Sequence, residues 1–473
     1  MKKEKLLAPI FLQVPDAFHL IGVFLLGALL ASFANYCVDR LGWYERYRSP
    51  WRRFPEKLSD KGPLPVRTWQ DRVPIWGWLS LSRFPLKKAE ETSRKKGAKN
   101  RVVAPAEKQE REATWEYAWI PGWESRFFWV RPFLVEILFA SLIAWRYSYW
   151  FSVSSDAPSF SPLAAWGVET VLFWLTLCAS LVDLDDYVIP DMLMTPGILL
   201  GLCAAVLFPR LLTPIAWPLD WTGEKTTFSI SAFVAHLLAS NGAEVSLGSV
   251  RACVGGGLSL AWTFWSFALL DRRFYLRLGV RRAFALFWRR LRRSPLTPIV
   301  VGLWVLGLVG IWVVVCKYAS LDFSERAFSF NALDSLVCAF VGLLVGAILI
   351  WAVRLIGGAA LGVEAMGFGD VILMGMLGAF IGWQGAVVVF FIAPFFGLVF
   401  GLARRCFDSA HEIPYGPFLC LGTLTYVLWR EQFDLALKPY FSDPLFAFGL
   451  GVVGFVLLGV LLGLLRVVKG LRR

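Results

Sequence analysis

The sequence has few charged residues and few side chains that bind metals. Only 18% of its 473 residues are charged and 57% are apolar, which excludes an ordinary soluble domain. The three histidines, His19, His236 and His411, are scattered, and the eight cysteines never form a C-x-x-C pair. We therefore expect no three-histidine metal centre, no cysteine-type zinc site and no disulfide framework.

Long apolar runs recur along the chain, and about 20 helical residues suffice to cross the hydrocarbon layer of a bilayer. The runs are too long, and alternate too little, for the strands of a membrane barrel. They predict an all-α polytopic membrane protein, a bundle of about 10–11 transmembrane helices with one cytosolic N-terminal loop domain. The predicted spans are 18–38, 133–152, 164–182, 192–208, 251–270, 297–316, 334–357, 386–403, 415–430 and 446–466, with 371–383 as a shorter one.

Composition divides the chain into six segments. These are a first transmembrane helix (1–39), a cytosolic loop domain without zinc ligands (40–131), spans carrying a first acidic motif (132–208), an insertion with two extra helices and a basic cytosolic loop (209–333), spans carrying a second acidic motif (334–430), and an extra C-terminal helix (431–473). The first apolar run ends in Asn35, Asp39 and Arg40 instead of a small-residue cleavage site, so we expect no cleaved signal peptide.

The formal net charge of +13 lies mainly in loops between the apolar runs. Membrane topology explains such charge better than nucleic-acid binding does. If the basic loops 40–131 and 271–295 are both cytosolic, and each span crosses once, Asp183 and Asp370 face the cytosol together. The 271–295 loop interleaves arginine with apolar side chains, which predicts an amphipathic helix on an anionic lipid surface.

A cluster of carboxylates follows the apolar run that ends at Val182. Asp185 and Asp186 are expected in a solvated turn, and Pro190 is expected to end one helix and let the next begin at Asp191. Asp183 differs because it directly follows the apolar run. Burial beside a second carboxylate would there favour one shared proton, and such a pair can activate water.

The second acidic motif runs from Glu364 to Asp370 and opens straight into an apolar run. Gly367 and Gly369 would permit unusual backbone dihedrals and the close approach of an extended substrate. A simple glycine hinge between two spans is the alternative interpretation of this motif.

Together these motifs resemble the prepilin peptidase family, the type IV leader peptidases, whose two catalytic acids lie in a segment ending [LI]-P-D and in a later G-x-G-D. The matching stretches are 183–191 and 367–370, with further ordered similarity at 32–35 and 40–41, 71–79, 131–136 and 413–418. The resemblance implies a two-aspartate endopeptidase in which Asp183 and Asp370 are the catalytic pair. Its implied supporting residues are Gly367, Gly369, Pro190, Asp191 and Glu364.

The resemblance also implies a substrate and a location. Relatives cut basic leaders from prepilins or pseudopilins of type IV pilus or type II secretion systems at the bacterial inner membrane. The substrate's apolar helix would lie among the spans and lipids, with its leader in the cytosol beside a site rich in carboxylates. Proteolysis needs no cofactor, whereas S-adenosylmethionine would be required if N-methylation of the new terminus is retained.

The chain departs from the family pattern at several positions. Most relatives carry zinc-binding C-x-x-C pairs in the first cytosolic loop, whereas this chain has Ser49 and Arg52 at two of those positions, so zinc is not expected. Ile372 stands where relatives usually place lysine. Two other classes of function stay open: a secondary transporter or proton channel built on intramembrane carboxylates, and a catalytically silent scaffold of a secretion assembly. Acids at span ends and the lack of an internal repeat favour the protease.

Overall fold

The structure is a computed structural model. It describes residues 16–55, 65, 67, 69–81, 128–153, 162–209, 246–268, 297–318, 332–361, 366–405 and 414–441, with single positions at 234, 238, 449, 451, 452, 454 and 456. These residues form helices joined by turns, and none of them lies in a strand, which confirms the predicted all-α class. The arginine loop 271–295, Glu364 and most of the run 446–466 lie outside the described residues.

Most of the helices follow the predicted apolar runs closely. In chain order they are α1 (Asp16–Leu41), the short α2 (Trp76–Leu81), α3 (Val130–Val153), α4 (Pro162–Asp186), α5 (Asp191–Leu207), α6 (Leu247–Ala268), α7 (Thr297–Tyr318), α8 (Ala332–Leu361), α9 (Phe368–Arg405), α10 (Gly416–Leu428) and α11 (Arg430–Phe441). A 3-10 turn, Gln70–Arg72, precedes α2.

Five stretches within the described part of the chain are long and apolar enough to cross a membrane. They are Phe18–Leu41, Pro162–Asp186, Val300–Tyr318, Ala332–Gly358 and Phe368–Ala403, and the shorter helices Asp191–Leu207 and Gly416–Leu428 are also apolar. The predicted span 133–152 and the described part of 251–270 are helical too, as α3 and α6, but are not among the five. In α3, the charged Glu136 and Arg146 lower the apolar character. The chain is therefore a multi-pass membrane protein.

The chain divides into two compact units, Met1–Pro190 and Asp191–Arg473. In the first unit α1 packs against α3 and α4, which also pack against each other. A buried ion pair joins α3 to α4: the Arg146 guanidinium donates to both Glu169 carboxylate oxygens at 2.8 and 2.7 Å. The Trp150 indole donates to the same carboxylate at 2.8 Å. Because both charges are paired in two places, the pair tolerates burial between apolar helices.

Removing one member of this pair is expected to destabilise the protein more than removing both. Glu169→Leu leaves the Arg146 charge buried without its partner, at a cost of roughly 3–5 kcal/mol. The double variant Arg146→Met with Glu169→Leu leaves no unpaired charge and should recover most of that loss. Thermal unfolding of the purified protein in detergent measures the difference. A double variant that is less stable than either single variant would contradict the expectation.

In the second unit, α8 and α9 form the most extensive helix contact, and α9 also packs against α5 and α10. Glycines allow this close approach. A Cβ atom on Gly342 would overlap the carbonyl oxygen of Gly378, and a Cβ on Gly378 would overlap that of Gly342. The two backbones therefore touch where these glycines face each other, as is common between helices in membranes.

The long helix α9 is interrupted at Gly382, whose φ of 74° and ψ of 177° are not helical. This break separates the predicted spans 371–383 and 386–403. The part before the break packs against α8 and α5, since a Cβ on Gly201 of α5 would meet Ala379 and Phe380. The part after it packs against α10, where a Cβ on Gly422 would meet Val389. A side chain at φ near 74° is strained, so glycine is favoured at position 382.

Candidate active site

Asp183 lies in the last turn of α4 and is 5% exposed. The neighbouring Leu181 and Val182 pack with Val38 of α1 in an apolar cluster. The carbonyl of Asp183 accepts the backbone N–H of Tyr187 at 2.9 Å, which closes the final turn of the helix. The carboxylate is therefore held near the apolar interior of the first unit, at the end of a predicted span.

Asp185 and Asp186 are not in a solvated turn, and that prediction is wrong. Arg48 donates to Asp185 at 2.5 Å, and Arg131 of α3 pairs with the same carboxylate. Asp186, 7% exposed, lies 2.5 Å from the Arg46 guanidinium. The carboxylates expected to face a basic leader are thus already neutralised by the protein's own arginines.

Pro190 does not end α4, as the sequence predicted it would. The helix ends at Asp186, four residues before Pro190, and Tyr187 follows with a left-handed φ of 56°. Pro190 directly precedes α5, whose first residue is Asp191. A carboxylate in the first turn of a helix is favoured by the helix dipole, so Asp191 suits this start.

Three stretches of the family resemblance converge on one buried carboxylate, Glu136 of α3, which is fully buried. It accepts the Asn35 side-chain amide at 3.3 Å, the Trp78 indole at 2.8 Å and the backbone N–H of Ile75 at 2.5 Å. Ile75 has a positive φ of 65°, which is unusual for a β-branched residue and aims this N–H at the carboxylate. The motif at 131–136 signalled Glu136, but its role as a shared acceptor depends on contacts that sequence does not show.

In the second unit, Asp370 is the third residue of α9 and is 8% exposed. The backbone N–H of Gly367 donates to its carboxylate. Phe368, between the two glycines, lies under the guanidinium of Arg354 from α8, 5.5 Å from the ring centroid. The helix that carries Asp370 is thus anchored to α8 at its first turn as well as at the glycine contact.

The motif glycines do not have unusual backbone dihedrals in this structure, and the space beside Gly367 is what matters. Among the described residues Gly382 is the glycine with positive φ, so neither Gly367 nor Gly369 adopts the unusual dihedral that the motif would permit. A Cβ on Gly367 would lie 3.4 Å from a carboxylate oxygen of Asp370. Glycine at 367 therefore keeps open the space beside the acid. Ile372, two residues after Asp370, is half-buried.

A phenol lies near Asp370, which the sequence motifs did not indicate. Tyr415 immediately precedes α10, and its ring packs edge-on against Phe418 with centroids 6.4 Å apart. Its phenol is close enough to Asp370 for the carboxylate charge to act on it. A tyrosine hydroxyl is a hydrogen-bond donor, so this side chain can donate near the acid.

Comparison with known proteins supports the resemblance over part of the chain. The type IV leader peptidase family matches residues 297–402, a stretch that includes the G-x-G-D motif and Asp370 and does not include Asp183. It begins inside the segment 209–333 that we expected to be an insertion. No solved structure matches the chain significantly.

Three curated relatives carry the same name, prepilin leader peptidase/N-methyltransferase. The protein of Aeromonas salmonicida is 34% identical over 102 residues, 21% of this chain and 34% of that protein. The Stutzerimonas stutzeri protein is 35% identical over 107 residues, 22% of this chain and 37% of that one. The Pseudomonas putida protein is 30% identical over 145 residues, 29% of this chain and 43% of that one.

The chain spans about a third of the length of the first of these relatives, 34% of the Aeromonas salmonicida protein. The matched stretch 297–402 comprises α7, α8 and most of α9, so it holds the close glycine contact together with Asp370. The resemblance predicted from the motifs is thereby confirmed, and this part of the chain is similar to the type IV leader peptidase family.

Proposed function

We propose that this protein is a membrane aspartyl endopeptidase that removes basic leaders from type IV prepilins or pseudopilins. The observation that carries the proposal is the family match over 297–402, because it includes a buried aspartate at the start of a membrane helix. Asp183 is the proposed partner of Asp370, since it is likewise a buried carboxylate at the end of a membrane helix. We further propose that cleavage takes place at the cytosolic face of the bacterial inner membrane.

Two carboxylates suffice for this reaction. The ionised one takes a proton from water, and the water oxygen bonds to the scissile carbonyl carbon while the protonated one donates to the carbonyl oxygen. The tetrahedral intermediate then expels the amine as the C–N bond breaks. The amine nitrogen takes up the proton that was removed from water, and a hydroxyl of the intermediate returns a proton to the carboxylate that had donated one, so both acids regain their starting states. Apolar surroundings keep competing water away from both acids. No covalent enzyme intermediate forms.

The substrate's charge places its leader outside the hydrocarbon layer, while its apolar helix lies among the spans. Asp185 and Asp186 are paired with arginines, so they are not free to bind leader lysines. We propose that the membrane boundary itself selects the cleavage point, because a basic leader stays at the cytosolic surface. The relatives' names include N-methyltransferase, and methylation by this chain is a separate question for the same assay.

Leader removal is the direct test. Co-expression with a prepilin that carries a basic leader should yield a product shorter by the leader, identified by intact mass. A further mass gain of one methyl group on that product would show methylation as well. A prepilin that stays full length with this protein, yet is cut by one of the curated relatives, would contradict the proposal.

A further inference from the structure

The segment that follows α1, residues 42–55, is held to the helices by arginine side chains. Arg48 is the central one: its Nε donates to Asp39 of α1 at 3.1 Å and its Nη2 donates to Asp185 of α4 at 2.5 Å. The second oxygen of Asp39 accepts the backbone N–H of Ser49 at 2.6 Å. Since Arg131 of α3 also pairs with Asp185, this one cluster connects α1, α3 and α4.

A second arginine, Arg46, contacts the C-terminal end of α4. Arg46 lies 2.5 Å from Asp186 and donates to the backbone carbonyl of Asp185 at 3.1 Å. Cations at a helix C-terminus satisfy its last carbonyls and are favoured by the helix dipole. The final turn of α4 therefore has a guanidinium on each of two consecutive carboxylates.

Two more arginines, Arg52 and Arg67, donate hydrogen bonds to backbone carbonyl groups in and next to this segment. Arg52 donates to the carbonyls of Asp39 and Arg46, the latter at 2.6 Å. Arg67 donates to the carbonyls of Tyr47, Ser49 and Arg52 at 2.6, 2.8 and 2.8 Å. Burial lowers the pKa of Arg67 to about 10, so it remains charged at neutral pH.

A zinc ion does not fit this segment. At two positions where the resembling family places thiols, this chain has Ser49, whose backbone N–H is bonded to Asp39, and Arg52, which is itself a cation. Across the part of the chain that the structure describes, no group of three or more His, Cys, Asp or Glu side chains is placed to bind a metal. In this segment the guanidinium groups of Arg48, Arg52 and Arg67 bind the backbone carbonyls and the Asp39 and Asp185 carboxylates.

We propose that Arg48 and its neighbouring arginines form a metal-free clamp that positions the last turn of α4, and with it Asp183. Arg48 and Arg46 act on Asp185 and Asp186, the second and third residues after the proposed catalytic acid. Fixing these two side chains prevents the helix end from fraying, which helix ends otherwise do. Arg48 is thus a positioning residue, and its link to catalysis rests on the proposed function.

Hydrogen exchange tests the clamp without reference to activity. The amide of Tyr187 is bonded to the Asp183 carbonyl, so its exchange rate reports on the last turn of α4. We expect Arg48→Gln to speed exchange at Tyr187 strongly and Arg48→Lys, which keeps the charge, to restore part of the protection. The matched control is Arg53→Gln, because Arg53 lies in the same segment and is exposed; it should leave exchange unchanged.

Kinetics with a prepilin substrate then test positioning. Arg48→Gln should lower kcat on the order of 10- to 100-fold with little change in KM, as expected when a reacting group is misplaced. Wild-type exchange at Tyr187 in Arg48→Gln would overturn the clamp, and a normal kcat in a variant with fast exchange would overturn its role in positioning. If the wild-type protein cuts no prepilin, the proposed function fails while the exchange data still decide the clamp.

Chelation tests the absence of a metal from the clamp. Treatment of the purified protein with a zinc chelator should change neither the melting temperature nor the exchange rate at Tyr187. A fall in the melting temperature that added zinc reverses would overturn the metal-free clamp.

Discussion

Asp370→Asn is expected to abolish leader removal, and Asp183→Asn is expected to do the same. Asparagine has nearly the same size but can neither accept the proton from water nor supply one to the carbonyl oxygen, so the rate should fall by about 10²–10⁴-fold or more. Co-expression with a prepilin, followed by intact mass measurement, gives the fraction cut. Both variants should keep the wild-type melting temperature to within a few degrees.

The matched control for these variants is Glu431→Gln, which replaces an exposed carboxylate of α11 in the same way. It should process the prepilin at the wild-type rate. Wild-type processing by Asp370→Asn would end the protease assignment. Loss of cleavage in Asp370→Asn alone would instead remove Asp183 from the pair and require a different second acid.

Gly378→Leu is expected to prevent stable folding of the second unit. Even the Cβ of alanine at this position would overlap the carbonyl oxygen of Gly342, so α8 and α9 would have to separate. Overpacking of this kind typically costs about 1–3 kcal/mol and occasionally more, which is a large fraction of a marginally stable protein's total stability. Thermal unfolding and gel filtration in detergent should show a graded loss from wild type through Gly378→Ala to Gly378→Leu.

The matched control is Gly302→Ala in α7, where an added Cβ would meet nothing within 4 Å. Alanine is a better helix former than glycine, so this variant should be as stable as wild type or slightly more stable. Equal melting temperatures for Gly378→Ala and Gly302→Ala would contradict the close contact. Because Asp370 lies about two turns before Gly378 on α9, loss of the contact should also lower peptidase activity.

Sequence predicted the helices well because their signal is local. Ten of the eleven predicted spans fall largely on described residues, and each of these ten corresponds to a helix. Even the division between 371–383 and 386–403 corresponds to the non-helical break at Gly382. The motif at 367–370 is equally local, so Asp370 could be singled out without a structure. Apolar length and glycine spacing need no knowledge of distant contacts.

Sequence failed where partners are far apart in the chain. Asp185 and Arg48 are separated by 137 positions, and nothing near Asp185 indicates that an arginine will bury it. A carboxylate at a helix end is ordinarily solvated, so that expectation was reasonable and wrong. The arginines of 46–52 likewise looked like topology signals, because charge alone does not distinguish a side chain facing lipid headgroups from one facing a carboxylate.

The carboxylate of Glu136 joins three stretches that are far apart in sequence, so substitutions in these stretches should be inherited together. Replacing Glu136 alone would leave the buried Trp78 indole N–H without this acceptor, and replacing Asn35 or Trp78 would remove one of the hydrogen bonds to its carboxylate, at a cost of about 1–3 kcal/mol each time. Such positions are energetically coupled. A substitution at one of them is therefore expected to be accompanied in evolution by compensating substitutions at the others. Homologous chains should therefore keep or lose the Asn, Trp and Glu as a set, even though 101 positions separate Asn35 from Glu136.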